Sequence, residues 1–534
     1  MECNMPPEVI TQILQFVSFE DRKRARSVNS VWYYASIHPM FIKNELFIVQ
    51  DPKQNGYNDK EQMEFLNLYH QILKESKRKM LNLKLRGFST LYKCSFIFEG
   101  IGEKVREIYL ENILVMTNAL IDIITSCSNI KKLEFSNINR WSLAVENPKP
   151  ILSLKVLVYK LATLPNNVFN LLASIASNID TLDLDYNVLE NEVYTPYCNV
   201  NQTNVMQFIK NIKNLTNLRI NDNWWILNRL PKNLQLKALN INYQRFYMNT
   251  IELSQFEAVI RNHKSLQQLE ILGIPCCLIL GIRNLQFLQE LNLTYAKYHV
   301  HVCCNKQLCF QNFQNSFNNM KYLKILSVTA EVPMHKPKYF NSIPPIPQHI
   351  MKSIQSLDCY FSPEMSIATF DNNLTSLRIR NGNILSVEDF IILFKELTKL
   401  TSLWIDRCYK LNDDVISDCS ISNLKGLTTL KLDGGRQTYR CLHNIKFSNL
   451  ITLYIHIAPV GLSILGHLPA IEKSFKTLAS SNPVLSHLTV FCVNSNQISL
   501  KIRVYYDLLY HTNNVCEVDL VAYLTKHWTF SNHS

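Results

Sequence analysis

Glycine is scarce, at 12 of 534 residues. Loops that cradle a phosphate or a dinucleotide need several glycines in fixed order, because the backbone must turn tightly against the ligand. No Gly-x-x-x-x-Gly-Lys run occurs, and neither does Gly-x-Ser-x-Gly or His-Glu-x-x-His. Charged residues make up only 18% of the chain against 47% hydrophobic, which excludes a disordered polymer. No apolar run reaches about 18 residues, so no membrane span is expected. The opening MECNMPPE lacks a basic region followed by an apolar one, so no secretory signal is expected.

The 15 cysteines are therefore read as reduced thiols of a cytoplasmic or nuclear protein, without a structural disulfide. The tight groups are Cys276-Cys277 and Cys303-Cys304 with Cys309. None has Cys-x-x-Cys spacing, so no metal and no cofactor is expected. The 14 histidines are scattered, and no catalytic residue stands out. The sequons at Asn214 and Asn373 read as chance. Lys and Arg exceed Asp and Glu by 55 to 43, a net charge of +12. This charge is spread along the chain; the run Lys74, Lys77, Arg78 and Lys79 is too short for a nucleic-acid tail. Mild basicity suits an acidic partner, and no nucleic-acid or membrane partner is expected.

What is present begins with MPPEVITQILQFVSFEDRKRARSVNSVWYYASIHPMF at residues 5–41. Pro6 and Pro7 suit a helix start, where no backbone N–H is needed. Ile10, Ile13, Leu14 and Val17 follow at helical spacing. Ser18 and Asp21 suggest a second start, and Ala25, Val28, Trp32 and Ala35 supply an apolar face that Pro39 ends. About 40 residues are too few to bury such faces alone. The order of these residues resembles an F-box: Met5-Pro6-Pro7-Glu8 at the opening, Ile13-Leu14, Asp21, Val28 with Trp32, then Pro39 and Phe41. Met5 and Val17 stand in leucine positions, and Arg22 stands where an apolar residue is usual. The alternative is a helical cap on whatever follows.

Residues 51–59 hold Pro52, Gly56 and other turn formers and read as a linker. Residues 60–76 read as a helix with Phe65, Leu66, Tyr69, Ile72 and Leu73 in its stripe. From residue 80 the template Leu-x-x-Leu-x-Leu-x-x-Asn/Cys recurs. Full copies start at Ile179, Leu215 and Leu400, and weaker ones run from Met80 to Val515. About 17 units at spacings of about 20 to 36 residues resemble leucine-rich repeats. The three apolar slots point inward and the residues between them outward on a short strand. Residues 187–214, 299–322 and 456–484 read as insertions or larger convex helices. The proline-rich stretch 333–347 reads as a rim loop: irregular padding, or a grip on a partner.

The expected fold is thus α/β: a helical F-box over residues 1–45, a linker and connecting helix over 46–79, and a leucine-rich-repeat solenoid over 80–534. The two resemblances imply a substrate receptor of a cullin–RING ubiquitin ligase, with a Skp-type adaptor bound through Pro6, Ile10, Ile13, Leu14, Val28 and Trp32. The chain would act by proximity and perform no bond chemistry. The alternatives are a leucine-rich-repeat scaffold without a ligase link, and a nucleic-acid-binding array, which the lack of a clustered basic stripe disfavours. Reading the outward slot along the array places Arg378, Trp404, Lys431 and Tyr454 in one row. Arg380, Asp406, Asp433 and His456 fall in a second row beside it. Arg378, Arg380, Trp404, Lys431 and Tyr454 are the candidate substrate residues, suited to an acidic or phosphorylated segment. The alternative is an Arg380–Asp406 ion pair that Trp404 merely covers.

Overall fold

The computed structural model describes residues 6–505 except 16, 18, 43–44, 56–57, 77–79, 139–140, 143–149, 161–165, 186–206, 222–229, 231–233, 243–259, 275–280, 296–305, 331–344, 363, 419–422, 436, 458–472, 475–476, 479, 483, 486 and 494–498. The cysteines at 276, 277, 303 and 304, most of the proline-rich stretch and the expected Val515 repeat lie outside the described residues. The chain divides into two compact units, Met1–Asn242 and Tyr243–Ser534.

The first unit opens with four short helices: α1 (Pro7–Leu14), α2 (Phe19–Ala25), α3 (Ser30–Ser36) and α4 (Pro39–Ile42). Pro7 starts α1. Asn29 caps α3 by accepting from the Trp32 amide at 3.0 Å, which satisfies one of the helix's orphan donors. Ile10, Leu14, Ala25, Ala35 and Phe41 form a core of their own, with Val17, Val31 and Trp32 packed on it. Arg22, out of place by the usual pattern, lays its guanidinium 4.9 Å from the centre of the Phe41 ring. It also donates to the Val17 carbonyl at 2.8 Å, so a peptide oxygen and an aromatic face meet the cation while its stem covers apolar surface.

The eight main strands of this unit are β1 (Leu46–Gln50), β2 (Leu81–Arg86), β3 (Val105–Glu111), β5 (Lys132–Ser136), β7 (Val156–Lys160), β8 (Thr181–Asp185), β9 (Asn217–Asn221) and β10 (Ala238–Asn242). They pair in parallel in that order. Two-residue strands β4 (Val115–Met116) and β6 (Trp141–Ser142) pair separately. Leu83, Ile108, Leu133, Leu157, Leu182, Leu218 and Leu239 stand in one register, and all are buried. Residues 46–50, expected as linker, form the first strand, so the sheet begins before residue 80. Phe47 and Val49 alternate with the exposed Leu46 and Ile48. Helix α5 (Asp59–Glu75) is capped reciprocally by Asn58 and Glu61. It buries Leu66, Leu73 and Gln62, whose amide bonds Asp51 at 2.7 Å, and leaves Ile72 exposed.

In the second unit β11 (Gln268–Ile274), β12 (Glu290–Tyr295), β13 (Ile325–Ala330), β14 (Ser356–Cys359), β15 (Ser376–Ile379), β16 (Ser402–Ile405), β17 (Thr429–Leu432), β18 (Thr452–Ile457) and β19 (His487–Val493) pair in parallel. Strand β20 (Ser499–Tyr505) adds antiparallel to β19, a reversal that the repeat pattern did not predict. Leu269, Leu291, Leu326, Leu357, Leu377, Leu403, Leu430, Leu453 and Leu488 share one register. The first template slot is also buried, from Leu266 and Leu288 to Leu427 and Leu450. One leucine at such a site contributes about 1.5–3 kcal/mol. The result is a leucine-rich-repeat array, a parallel sheet with helices and turns returning between strands.

Cys359 and Cys408 are fully buried free thiols. Burial pushes the Cys408 thiol up to about 12, and it donates to the Asp433 carbonyl at 3.2 Å, filling the turn at the strand end as the repeat template requires. Leu403→Ala, which removes a buried rung, is expected to cost about 2–5 kcal/mol, against under about 0.5 kcal/mol for the exposed Lys399→Ala. Urea unfolding midpoints of the two variants check this.

Candidate functional site

The six residues expected to meet an adaptor divide by burial. Ile10 and Leu14 are each 1% exposed, inside the helical unit's own core. Ile13 and Trp32 are half-buried and Pro6 is exposed. Val28 is 61% exposed, because it lies in the turn after α2 rather than on a helix face. Burial of Ile10 and Leu14 corrects the expectation that the unit cannot bury its apolar residues: four short helices close a core around Phe41.

Among the described residues of the helical unit, the large apolar side chains that remain exposed are Val9, Val28, Tyr33, Tyr34 and Met40. Tyr33 and Tyr34 meet edge to face with ring centres 5.6 Å apart. Periodicity missed the tyrosines because Tyr33-Tyr34 adjoins Trp32 and Ala35, and a continuous apolar run hides which residues face out. The unit is tied to β1 by an Arg26–Glu45 pair at 2.7 Å.

On the outward wall of the second unit the expected row exists: Arg378, Trp404, Lys431 and Tyr454 stand opposite one another on β15 to β18. The pairing within it differs from expectation. Arg380 does not meet Asp406; it forks onto Asp358 at 2.6 and 2.7 Å. Arg378 donates to Asp406 at 3.2 Å. Each guanidinium reaches a neighbouring strand diagonally, which its length allows and the tighter two-row reading did not consider.

The Arg378 guanidinium lies 3.2 Å from the centre of the Trp404 ring and the Lys431 ammonium 4.2 Å from it. Strands β15 and β17 flank β16, so a cation approaches Trp404 from each side. This gives the outward tryptophan a physical reason: its electron-rich faces hold two cations apart. Among the described residues no carboxylate is bonded to Lys431. His456 Nδ1 lies 3.2 Å from the Gly434 amide, which donates to it, and 3.3 Å from Asp433 Oδ1.

Burial raises the Asp406 carboxyl above its ordinary value of 3.8, and Arg378 only partly offsets this. Burial likewise pushes the Tyr454 hydroxyl up, with Asp433 and Asp406 adding to it. The Asp358 bonds hold the Arg380 cation more firmly protonated.

The model of the F-box domain family matches residues 3–44, the stretch that folds as the four-helix unit. No curated protein matches the chain. Among solved structures, the yeast Rad7 and Elc1 complex aligns at 13% identity with a TM-score of 0.37, covering 84% of this chain and 94% of that one. An internalin from Listeria monocytogenes aligns at 14% identity with a TM-score of 0.29, covering 85% and 99%. At such scores neither bears on function. The F-box assignment rests on the domain match and the array on its own strand register.

Two expectations follow. Leu14→Asp is expected to unfold the helical unit, since it buries a carboxylate among Ile10, Ala35 and Phe41. Val28→Asp is expected to leave the helices intact; circular dichroism of residues 1–45 expressed alone separates the two. For Asp406, the folded chain binds more protons than the unfolded one between pH 3.8 and its raised folded value, so stability from this residue declines as pH rises through that window. Asp406→Asn is therefore expected to gain stability relative to the parent as pH rises above about 4, then to hold level. Urea midpoints from pH 3.5 to 7 check the slope; a variant that loses stability relative to the parent as pH rises contradicts it.

Proposed function

For a chain that joins an F-box domain to a leucine-rich-repeat array, we propose the role of substrate-recognition subunit in a Skp–cullin–F-box ubiquitin ligase. F-box domains bind Skp-type adaptors, and the F-box match over residues 3–44 is the observation that carries the reading. The exposed Val9, Val28, Tyr34 and Met40 support it: a self-packed unit that keeps apolar side chains in water gains by covering them. The adaptor links the chain to a cullin–RING scaffold, and the array holds a protein substrate on its outward wall. Catalysis is by proximity, because the receptor raises the local concentration of substrate near the charged conjugating enzyme. No bond chemistry belongs to this chain, which works in the cytoplasm or nucleus.

The substrate site in this reading is the row Arg378, Trp404, Lys431 and Tyr454, with Arg380 beneath it. Because Asp358 and Asp406 already neutralise the two arginines, Lys431 is the cation that an incoming carboxylate or phosphate meets, with Trp404 and Tyr454 supplying contact area. The segment recognised is acidic or phosphorylated.

The test is co-purification of the full chain with a Skp-type adaptor. Val28→Asp with Tyr34→Ala is expected to abolish capture while α-helical signal is unchanged. Persistent capture by the folded double variant removes this face as the docking surface, and failure of the parent chain to capture any such adaptor favours a scaffold without a ligase link. For the wall, Lys431→Glu with Trp404→Ala is expected to change the proteins recovered under proteasome inhibition while adaptor binding survives. An unchanged partner list excludes the row as the substrate site.

A further inference from the structure

Sequence reading found no clustered basic stripe, yet the repeat assembles one. Residues three or four places before a strand lie at the edge where the strands begin. In the second unit those positions hold Lys264 before β11, Phe287 before β12, Lys321 and Tyr322 before β13, and Lys352 before β14. Lys324 stands one residue before β13. Lys399 and Lys425 continue the edge before β16 and β17. That these slots stack is shown by bonds between neighbouring repeats: Lys399 donates to Asn373 and Asn449 to the Lys425 carbonyl. Parallel strands lie about 4.8 Å apart, so β11 to β17 spread this edge over about 29 Å.

All of these lysines are exposed. Among the described residues none of them is bonded to a carboxylate. Acids along the edge have other partners: Glu290, the first residue of β12, accepts from Asn292 at 3.1 Å, Asp371 accepts from Asn373 at 2.9 Å, and Glu396 meets Lys395 at 3.9 Å. Within the row, Phe287 and Tyr322 are 53% and 56% exposed. Their rings stack on each other with centres 6.1 Å apart and planes 11° apart. Large aromatics held parallel at the surface, beside cations that no carboxylate among the described residues neutralises, have no packing role in the array, whose interior slots are filled by other residues.

We propose that this edge binds single-stranded nucleic acid, with the lysines tracking the phosphates and the Phe287–Tyr322 pair serving as a platform on which a base stacks. Lysine is depleted in the cores of protein–protein interfaces, whereas a line of cations without carboxylate partners, interleaved with aromatic faces, suits a polyanion whose bases have flat faces. The binding is tolerant of sequence, because stacking accepts any base and phosphate contacts carry no base information. It is separate from the outward wall and from the F-box, and it does not rest on the ligase reading.

The experiment is fluorescence anisotropy of the full chain with a labelled 20-nucleotide oligo(U), from 50 to 300 mM salt. Binding is expected to weaken with salt at a log–log slope of about −3, the value for four to five phosphates neutralised on a single strand. Phe287→Ala with Tyr322→Ala is expected to weaken binding about tenfold or more without changing the slope. Lys321→Ala with Lys324→Ala is expected to make the slope shallower by about 1.4. All these side chains are exposed, so the variants keep the fold, which circular dichroism confirms. No binding at 50 mM salt overturns the proposal, as does binding unchanged in both variants. Poly-glutamate of equal charge that binds as tightly as oligo(U), and equally well to the aromatic variant, also overturns it, since the edge then takes an acidic protein segment.

Discussion

Every other feature of the array depends on the burial of three apolar side chains per repeat in strict register. Leu403 is useful only because Leu377 and Leu430 stand beside it, since no single unit of about 25 residues can remove its own apolar face from water. Stacking solves this, and with it comes a second order that no residue specifies alone. Whatever occupies the slot between two buried rungs is placed about 4.8 Å from its counterpart in the next repeat. The array thereby turns a one-dimensional sequence into rows, and the rows are where chemistry collects.

Hydroxyls and amides hold those rows in line. Thr375, Thr401 and Thr428 each donate to the carbonyl of the repeat before, Gln355, Thr375 and Thr401 respectively, at 3.0, 3.0 and 2.9 Å. Where a strand ends the chain turns through left-handed backbone at Gly87, Asn112 and Asn137, residue types that accept this conformation at low cost. Arg407 adopts it too, with φ of 59°, between Asp406 and the buried Cys408. A bulky residue there is strained, and the bonds that the Cys408 amide and thiol donate to the Asp433 carbonyl keep it in place.

Much of this was readable from sequence, because leucine spacing is a direct imprint of the interior. The row Arg378, Trp404, Lys431 and Tyr454 followed from counting alone. What failed did so for identifiable reasons. Strand β1 lacks the first template slot, since helix α4 and Glu45 precede it, so LFIVQ did not read as a repeat. Ile10 and Leu14 lie on an apolar helix face, but periodicity cannot tell a face turned to a private core from one turned to a partner. Arg380 was matched to its lateral neighbour, whereas a guanidinium on a long stem chose the diagonal Asp358. The lysine edge escaped notice because its members are scattered from residue 264 to residue 425 and meet only when the strands align.

The central claim is that the helical unit is a self-contained docking module and that the array is a rigid wall not consumed by docking. Hydrogen exchange of the full chain, free and saturated with a Skp-type adaptor, measures this directly. The account predicts new protection confined to residues 6–42, strongest around Val28 and Tyr34, with the amides of β12 to β18 unchanged. Protection absent from the helical unit, or spread across those strands, contradicts it.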